Sequence, residues 1–277
     1  MHDPIRKFGR MVWRDGRLTA GMRQIAEETA IALTYNGGTY VVMMGTPQHL
    51  RDFAIGFSLT EGVVQSADEI ESIDVVELDE GIELRMWLAA EKAARISERR
   101  RHVAGPTGCG ICGLESIAQA VRPAAIVAQG RIFTPREIMA AMAGLPPLQA
   151  INSETRSVHA AAFWTPAHGI VALREDVGRH NALDKLAGGL AQQRVCAADG
   201  MVLLTSRVSV EMVQKAAAMG VPLMVAVSAP TALAVRMADA AGITLCAIAR
   251  ADGFEVFTHP QRVAVESVVE EAGRVVA

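Results

Sequence analysis

Residues 200–250 read GMVLLTSRVSVEMVQKAAAMGVPLMVAVSAPTALAVRMADAAGITLCAIAR. Three apolar runs within this stretch, GMVLLTS, VPLMVAVS and ITLCAIAR, are typical of strands that are buried on both faces. Two segments of helical pattern separate them, and these end at Gly220 and Gly242. The order β-α-β-α-β predicts parallel strands joined by right-handed crossovers. We therefore predict an α/β domain in this half of the chain.

The N-terminal part has a different pattern. Short apolar runs flank NGG at residues 36–38 and DEG at residues 79–81, and both turns predict antiparallel hairpins. Thr46 and Pro47 predict the cap and first position of a helix. Further helices are predicted at AEKAARISERRRH, at LESIAQAV and after Thr134, and a third strand pair at HAAAFW and IVALRE. We predict an N-terminal α+β domain over residues 1–112 and an α/β domain over residues 113–277.

Composition limits the partners that the chain is expected to have. The chain has 277 residues, of which 51% are hydrophobic and 21% charged, and these values are typical of a globular protein. Its net charge of −3 and its aromatic content of 4% do not favour a nucleic-acid partner. No apolar run reaches the roughly 18 residues that a membrane helix needs, and MHDPIRKFGR is not a signal peptide. We expect a cytoplasmic protein without nucleic-acid or membrane partners.

The stretch GPTGCGICG places Cys109 and Cys112 in a glycine-rich loop. The basic run ERRRH precedes the loop and a predicted helix N-terminus follows it, and both favour the reactive thiolate form of cysteine. Half of a zinc site is one interpretation, but no second ligand pair of suitable spacing occurs in the sequence. A thioredoxin-like redox pair and a sulfur-carrying thiol remain open. Cys196 and Cys246 are predicted to be packed or incidental thiols.

Two polar stretches follow predicted strands. In EDVGRHNALDKL, the residues Asp176, His180 and Asp184 recur every four positions and are predicted to share one helix face. In LLTSRVSVEMVQKAA, Arg207 and Ser209 stand at a strand–helix turn, where a hydroxyl and an arginine suit phosphate, although Ser209 can also serve as a helix cap. Polar clusters at such junctions are typical of binding sites in α/β proteins.

Four stretches taken together resemble the formate dehydrogenase accessory sulfurtransferase family (FdhD). They are TGCGICG, EDVGRHNALDKL, SRVSVEMVQKAA and VFTHPQR, and they occur in the family's order. The resemblance covers nearly the whole chain, from IALTYNGGTYVVMM to THPQR. It implies a cytidine-deaminase-like three-layer α/β domain after a smaller N-terminal domain, and a homodimer. The deaminase zinc signature is absent, so the fold is expected without a permanently bound metal.

The resemblance also implies roles for individual residues. It makes Cys109 the persulfide carrier and Cys112 the second cysteine of the loop. Arg207 and His180 belong to the predicted cofactor-binding set. The rest of that set is the segment after the last buried strand: Ile248, Ala249, Arg250, Ala251, Asp252 and Gly253. Asp252-Gly253 is also predicted to form the turn between two strands.

This chain departs from the family pattern at two places. Ile248 stands where the family often has phenylalanine, and Ala251 where it often has glycine or proline. The family also often shows Thr-Gly-Gly-x-His, where this chain has Arg156 and Ser157 in place of the glycines but retains His159.

The function implied by the resemblance is transfer of sulfur. The chain is expected to accept persulfide sulfur from a cysteine desulfurase and to pass it to the molybdenum or tungsten bis-guanine-dinucleotide pterin cofactor that formate dehydrogenase requires. The expected partners are therefore the desulfurase, formate dehydrogenase and a second copy of the chain. The alternatives are a chaperone that holds the cofactor without transferring sulfur, and a redox protein that uses the Cys-x-x-Cys pair. Cys109 discriminates between sulfur transfer and the cofactor chaperone, because a chaperone needs no reactive thiol.

Overall fold

The computed structural model of the protein describes residues 3–90, 92 and 122–264. The N-terminal part of this range contains a long hairpin, then a four-stranded sheet that carries one helix on its inner face. Its elements are β1 (Ile5–Arg14), β2 (Arg17–Ala26), β3 (Thr29–Tyr35), β4 (Gly38–Gly45), α1 (Leu50–Thr60), β5 (Ile70–Leu78) and β6 (Gly81–Leu88). The sheet order is β4-β3-β6-β5, with β3 and β6 parallel and the other pairs antiparallel.

The C-terminal part of the described chain forms a six-stranded sheet in the order β12-β11-β10-β9-β7-β8. Its elements are α2 (Pro135–Ala143), α3 (Ala150–Thr155), β7 (His159–Thr165), β8 (Gly169–Asp176), α4 (Arg179–Gln192), β9 (Met201–Leu204), α5 (Val210–Ala218), β10 (Leu223–Ala226), α6 (Ala232–Ala241), β11 (Thr244–Arg250) and β12 (Gly253–Val256). None of the helices in the described ranges combines the length and the hydropathy needed to cross a bilayer.

The predicted β-α-β-α-β unit is confirmed. β9, β10 and β11 pair in parallel, and β9 and β10 are buried at every position. Gly242 caps α6 in a left-handed conformation at φ 73°, and Gly220, at φ 74°, follows the C-cap of α5. These glycines end the helices because a residue with a side chain adopts that backbone conformation only at a cost.

The hairpins of the N-terminal sheet also form as the sequence predicts. Asn36 and Gly37 both have positive φ, at 47° and 79°, as a two-residue hairpin turn requires. Inward-facing residues of β3 and β6 pack on α1, and Ile31, Leu84 and Phe53 are completely buried there. The opposite face of this sheet has no helix on it within the described part of the chain.

Helices α1 and α4 cross with their backbones almost in contact, and this crossing joins the two sheets. A Cβ atom added to Gly56 would lie 1.7 Å from the carbonyl oxygen of Asp184, and one added to Gly188 would lie 1.9 Å from that of Asp52. Only glycine permits so close an approach. Arg174 on β8 donates to the Asp52 carboxylate at 2.6 Å beside the crossing.

The start of α1 differs from the prediction. Thr46 and Pro47 do not begin the helix, which starts at Leu50 after a left-handed His49 at φ 54°. Thr46 instead ties the end of β4 to β8. Its backbone N–H donates to an Asp176 carboxylate oxygen at 3.0 Å, and its hydroxyl accepts from the N–H of Val177 at 3.1 Å.

Two further sequence predictions have different outcomes. Thr134 forms the predicted capping box with Glu137, because its hydroxyl accepts from the Glu137 N–H at 3.1 Å and the Glu137 carboxylate accepts from the Thr134 N–H at 2.8 Å. The helices predicted at AEKAARISERRRH and LESIAQAV lie almost wholly or wholly outside the described residues. So does the boundary predicted between residues 112 and 113.

Candidate functional site

Several strands of the six-stranded sheet end at the same edge of the sheet, and several helices begin there. β8, β9, β10 and β11 all run toward this edge, and α4, α5 and α6 begin there. Antiparallel β7 starts at the same edge with His159, which lies opposite Asp176. The loops after β9 and β10 are held together because the N–H of Thr231 donates to the carbonyl of Val208 at 2.9 Å. Ligands of open α/β sheets bind outside this edge.

Polar side chains from α4 and α5 meet at this edge. The Nε2 atom of His180 lies 3.9 Å from Oε2 of Glu211, and both side chains are more than four-fifths buried. The nearby His180 imidazole holds the pKa of the Glu211 carboxyl at about 2 despite burial. Glu211 is therefore ionised at neutral pH and gives the cluster a fixed negative charge.

Three buried donor or acceptor atoms at this edge have no hydrogen-bond partner within the described residues. They are Nε of Arg179, Nε2 of His180 and Oγ of Ser209. Ser209 is the N-cap residue of α5, as the sequence allows, but its hydroxyl makes no capping bond. Unpaired buried polar atoms carry a free-energy cost and are rare in folded proteins. Arg179 and Ser209 lie at helix N-termini, where an anionic oxygen atom would satisfy such groups.

Basic residues surround His159, the first residue of β7. Burial, then the nearby guanidinium groups of Arg179 and Arg207, lower the pKa of His159 below its ordinary value of 6.5. His159 is therefore neutral at neutral pH. Arg207 is exposed at the end of the loop that follows β9. The edge thus presents positive charge to solvent.

The segment over residues 248–253 forms the end of β11, a turn and the first residue of β12. Ile248 has a left-handed φ of 53°, and the register between β11 and β12 shifts between residues 247 and 250. A β-branched residue rarely adopts this conformation, and such strain clusters at functional sites. Ala249 is buried, and the exposed Arg250 donates to the carbonyl oxygens of Val227 and Ala249.

The turn in this segment differs by one position from the prediction. The sequence predicts Asp252-Gly253 as the turn residues, but Ala251 and Asp252 form the turn and Gly253 begins β12. Gly253 has a φ of 153°, which residues with side chains seldom adopt. The bulge at Ile248 accounts for the shift, because it adds a residue to β11 before the turn.

The structure brings Arg207 and Arg250 to the same edge of the sheet. Arg207 follows β9 and Arg250 ends β11, with β10 between them, so two strand spacings, about 10 Å, separate the two strands. His180 lies at the same edge, at the first turn of α4. Cys109 and Cys112, the predicted catalytic residues, lie outside the described residues.

The predicted helix face of Asp176, His180 and Asp184 is wrong. Asp176 ends strand β8, three residues before α4 begins, and is completely buried. Its carboxylate accepts from Lys185 Nζ at 2.6 Å and from the N–H of Gly178 at 2.7 Å. Asp176 therefore stabilises the end of β8. Of Asp176, His180 and Asp184, His180 is the residue that faces the edge of the sheet.

Asp184 is also a structural residue. Thr60 donates to its carboxylate at 2.6 Å, and the buried Lys215 lies 2.9 Å from it. Burial raises the pKa of Asp184, although the Lys215 ammonium opposes this rise. This ion pair links α4 to α5 and to the end of α1, below the polar edge.

The free thiols in the described chain are unlike a sulfur-carrying site. Cys246 is buried in β11, and burial raises the pKa of its thiol to about 12. Cys196 is exposed and precedes a short 3-10 turn. No cluster of three or more His, Cys, Asp or Glu side chains suited to a metal ion occurs among residues 3–90, 92 and 122–264.

Comparison with known proteins places this geometry in a family. The model of the FdhD/NarQ family matches residues 26–264. The chain belongs to the FdhD/NarQ family. A relative from Agrobacterium fabrum, named sulfur carrier protein FdhD, is 48% identical over 259 residues, which cover 93% of this chain and 96% of that protein. A protein of the same name from Brucella abortus is 52% identical over 242 residues, covering 87% and 90%.

A solved structure from Desulfotalea psychrophila, described as a candidate formate dehydrogenase accessory protein, has the same fold. It superposes with a TM-score of 0.75 at 23% identity, and the match covers 95% of this chain and 100% of that one. The predicted α/β fold is thus confirmed.

One departure from the FdhD pattern has a visible consequence. Arg156 follows α3 with a left-handed φ of 59°, at the place where the family often has glycine. The backbone therefore keeps a conformation that suits glycine, although an arginine occupies it. His159 lies at the polar edge three residues later, so the substitution leaves the start of β7 in place.

Proposed function

We propose that this protein is a sulfur carrier that accepts sulfur on Cys109 as a persulfide and delivers it to a phosphate-bearing acceptor at the polar edge. The observation that carries the proposal is the similarity, over about nine-tenths of the chain, to proteins named sulfur carrier protein FdhD. The glycine-rich Cys-x-x-Cys loop supplies the thiol that such a role needs.

Loading is a thiol exchange in which atoms and electrons balance. The Cys109 thiolate attacks the outer sulfur of a persulfide on a cysteine desulfurase. A sulfur–sulfur bond forms on Cys109, the bond on the donor breaks, and the donor cysteine leaves as a thiolate. No oxidant is consumed in this step.

Release can use the second cysteine. The Cys112 thiolate attacks the inner sulfur of the Cys109 persulfide and forms a disulfide with it. The sulfane sulfur leaves as hydrosulfide with both electrons of the broken bond. A dithiol reductant then returns both cysteines to thiols. Release therefore needs a reductant, whereas loading does not.

We propose the molybdenum or tungsten bis-guanine-dinucleotide pterin cofactor of formate dehydrogenase as the sulfur acceptor. Its diphosphate groups would suit the arginines of the polar edge, Arg207 and Arg250, and the unpaired atoms of Arg179 and Ser209. The formate dehydrogenase link rests on what similar proteins are described as, and the protein acts as a homodimer in this proposal.

Intact-mass analysis after incubation with a cysteine desulfurase and cysteine tests the carrier role. We expect a gain of about 32 Da, one sulfur atom, that a reductant removes. Cys109→Ala should abolish the gain, whereas Cys196→Ala, the matched change at an exposed thiol, should retain it. A chaperone without sulfur transfer would bind the cofactor equally well without Cys109. Labile sulfur that persists in the Cys109→Ala protein rules out this carrier.

A further inference from the structure

The N-terminal hairpin is mostly exposed to solvent. β1 and β2 pair along all ten positions, from Ile5 with Ala26 to Arg14 with Arg17. Asp15 and Gly16 form the turn, with φ of 50° and 75°. Nearly every side chain of the two strands is exposed. β2 contacts α3, where Arg23 donates to the carbonyl of Thr155 at 3.1 Å, and a two-stranded hairpin with so little support is marginally stable in water.

One face of this hairpin is apolar. In the antiparallel register, Trp13 lies opposite Leu18, Met11 opposite Ala20, and Met22 opposite Gly9, and all of these point to the same side. The exposed fractions are 72% for Trp13, 62% for Leu18, 60% for Met11 and 54% for Met22. Contiguous exposed apolar surface of this kind marks an interaction site.

The other face and the turn carry the arginines of the hairpin beside the exposed Phe8 and Ile25, and Lys7 lies on the apolar face. Between Ile5 and Ala26 the chain has six basic residues and one acidic residue, a net charge of +5. Since the whole chain carries −3, the residues outside the hairpin carry −8. A second copy of the chain therefore presents negative charge to the hairpin.

Among the described residues, nothing covers the apolar outer face of the four-stranded sheet, which complements the hairpin. Val42, Met44 and Trp87 point away from α1 and are 49%, 49% and 42% exposed. The edge strand β5, next to the strand of Trp87, carries the exposed acids Glu71 and Asp74. In a single chain, this face and the apolar face of the hairpin both remain exposed, so the two do not cover each other.

We propose that the β1–β2 hairpin is an arm whose apolar face docks on the outer face of the β4-β3-β6-β5 sheet of a second copy of this chain. Ten residues of strand extend about 34 Å, whereas four strands span about 19 Å, so the arm is long enough to cross the whole sheet. A two-fold axis would make the exchange reciprocal and cover both arms and both sheet faces. The opposite net charges of arm and body favour this encounter.

This inference rests on the homodimer of the proposed function and states which two surfaces of the chain form that dimer. Sedimentation equilibrium of the full chain should show a dimer. The double variant Trp13→Glu/Leu18→Glu should raise the dimer Kd at least about 100-fold, because each lost anchor counts twice in a two-fold dimer. The matched control is Ile126→Glu, the same change at a residue 83% exposed outside both surfaces, and it should leave the Kd unchanged.

A cross-linking measurement locates the docking surface in the otherwise wild-type chain, so it does not depend on the folding of the double variant. Benzoylphenylalanine at position 13 should give intermolecular cross-links to peptides that contain β4 or β6. If the double variant has the same dimer Kd as the wild-type chain, or if the cross-links lie outside β4 and β6, the proposed docking of the arm is wrong. The homodimer itself then still stands. A monomeric wild-type chain overturns both the arm and the homodimer. The same conclusion holds if the arm of that monomer binds anionic vesicles or nucleic acid. Loading of Cys109 reports separately on the sulfur-carrier role.

Discussion

His180 on α4 and Glu211 on α5 approach to 3.9 Å and join the first turns of two helices that start at the same edge of the central sheet. The pair lies beside the Ser209 hydroxyl and Nε of Arg179, which have no hydrogen-bond partner in the described part of the chain. Glu211 thus places a fixed negative charge beside the His180 imidazole. We expect this arrangement to orient His180 toward the edge.

The pH dependence of stability reports on Glu211. Its folded-state pKa of about 2 lies below its ordinary value of 4.5, so the ionised form stabilises the folded protein. This contribution is complete above about pH 5 and is lost as the pH falls from about 4.5 toward 2. Glu211→Gln should cost about 1–2 kcal/mol at pH 7, since partial exposure screens the charge, and less at pH 3.

Urea unfolding across pH 3–7 measures this effect. Glu154→Gln, at an exposed carboxyl on α3, is the matched control and should change the free energy of unfolding little at any pH. A cost of Glu211→Gln that stays constant down to pH 3 would contradict the depressed pKa.

Nucleotide binding tests the two arginines of the edge. Guanosine diphosphate should bind as a fragment of the proposed acceptor, and Arg207→Gln and Arg250→Gln should each weaken it roughly tenfold, since each removes one charge-assisted hydrogen bond. Arg194, exposed after the C-terminal end of α4, lies at the opposite edge and provides the control Arg194→Gln. Calorimetry that finds no binding, or equal binding by all variants, would refute this placement.

The central sheet could be predicted because its strands and the ends of its helices have signals in short stretches of sequence. The runs at β9, β10 and β11 are apolar at nearly every position, whereas a half-exposed strand would alternate apolar and polar residues. Gly220 and Gly242 end the intervening helices. The hairpin β1–β2 went unpredicted, because its strands mix basic and apolar residues without a core. Asp15-Gly16 is a strong hairpin-turn signal that could have revealed it.

The hydrogen bonds that tie the end of β4 to the end of β8 could not be predicted, because their partners are far apart in the sequence. Thr46 contacts Asp176 across 130 residues, and this contact both displaces the start of α1 and removes Asp176 from the helix face expected of it. Spacing of four residues predicts a shared face only where the helix has already begun. At the edge, Arg207, Arg250 and His180 converge as expected of strand ends in an α/β sheet, whereas Arg179 and Glu211 were recognised only from the structure.

The two cysteines of the glycine-rich loop should have unequal roles. Cys112→Ala should load persulfide on Cys109 normally but transfer it more slowly, because it lacks the thiolate that attacks the persulfide. Cys109→Ala should abolish both loading and transfer. Single-turnover transfer assays, with loading checked separately by mass, distinguish these outcomes. Loading that is blocked in Cys112→Ala and intact in Cys109→Ala would reverse the proposed order.

The crossing of α1 and α4 should be sensitive to a single methyl group. In Gly56→Ala the new Cβ would lie 1.7 Å from the carbonyl oxygen of Asp184, so the helices must separate along their contact. We expect a loss of about 3 kcal/mol in the free energy of unfolding, measured in urea, because backbone atoms cannot yield as a flexible side chain does. Gly21→Ala, in open space on β2, is the control and should cost less than about 1 kcal/mol. Equal stability of the two variants would mean that α1 and α4 do not pack this closely.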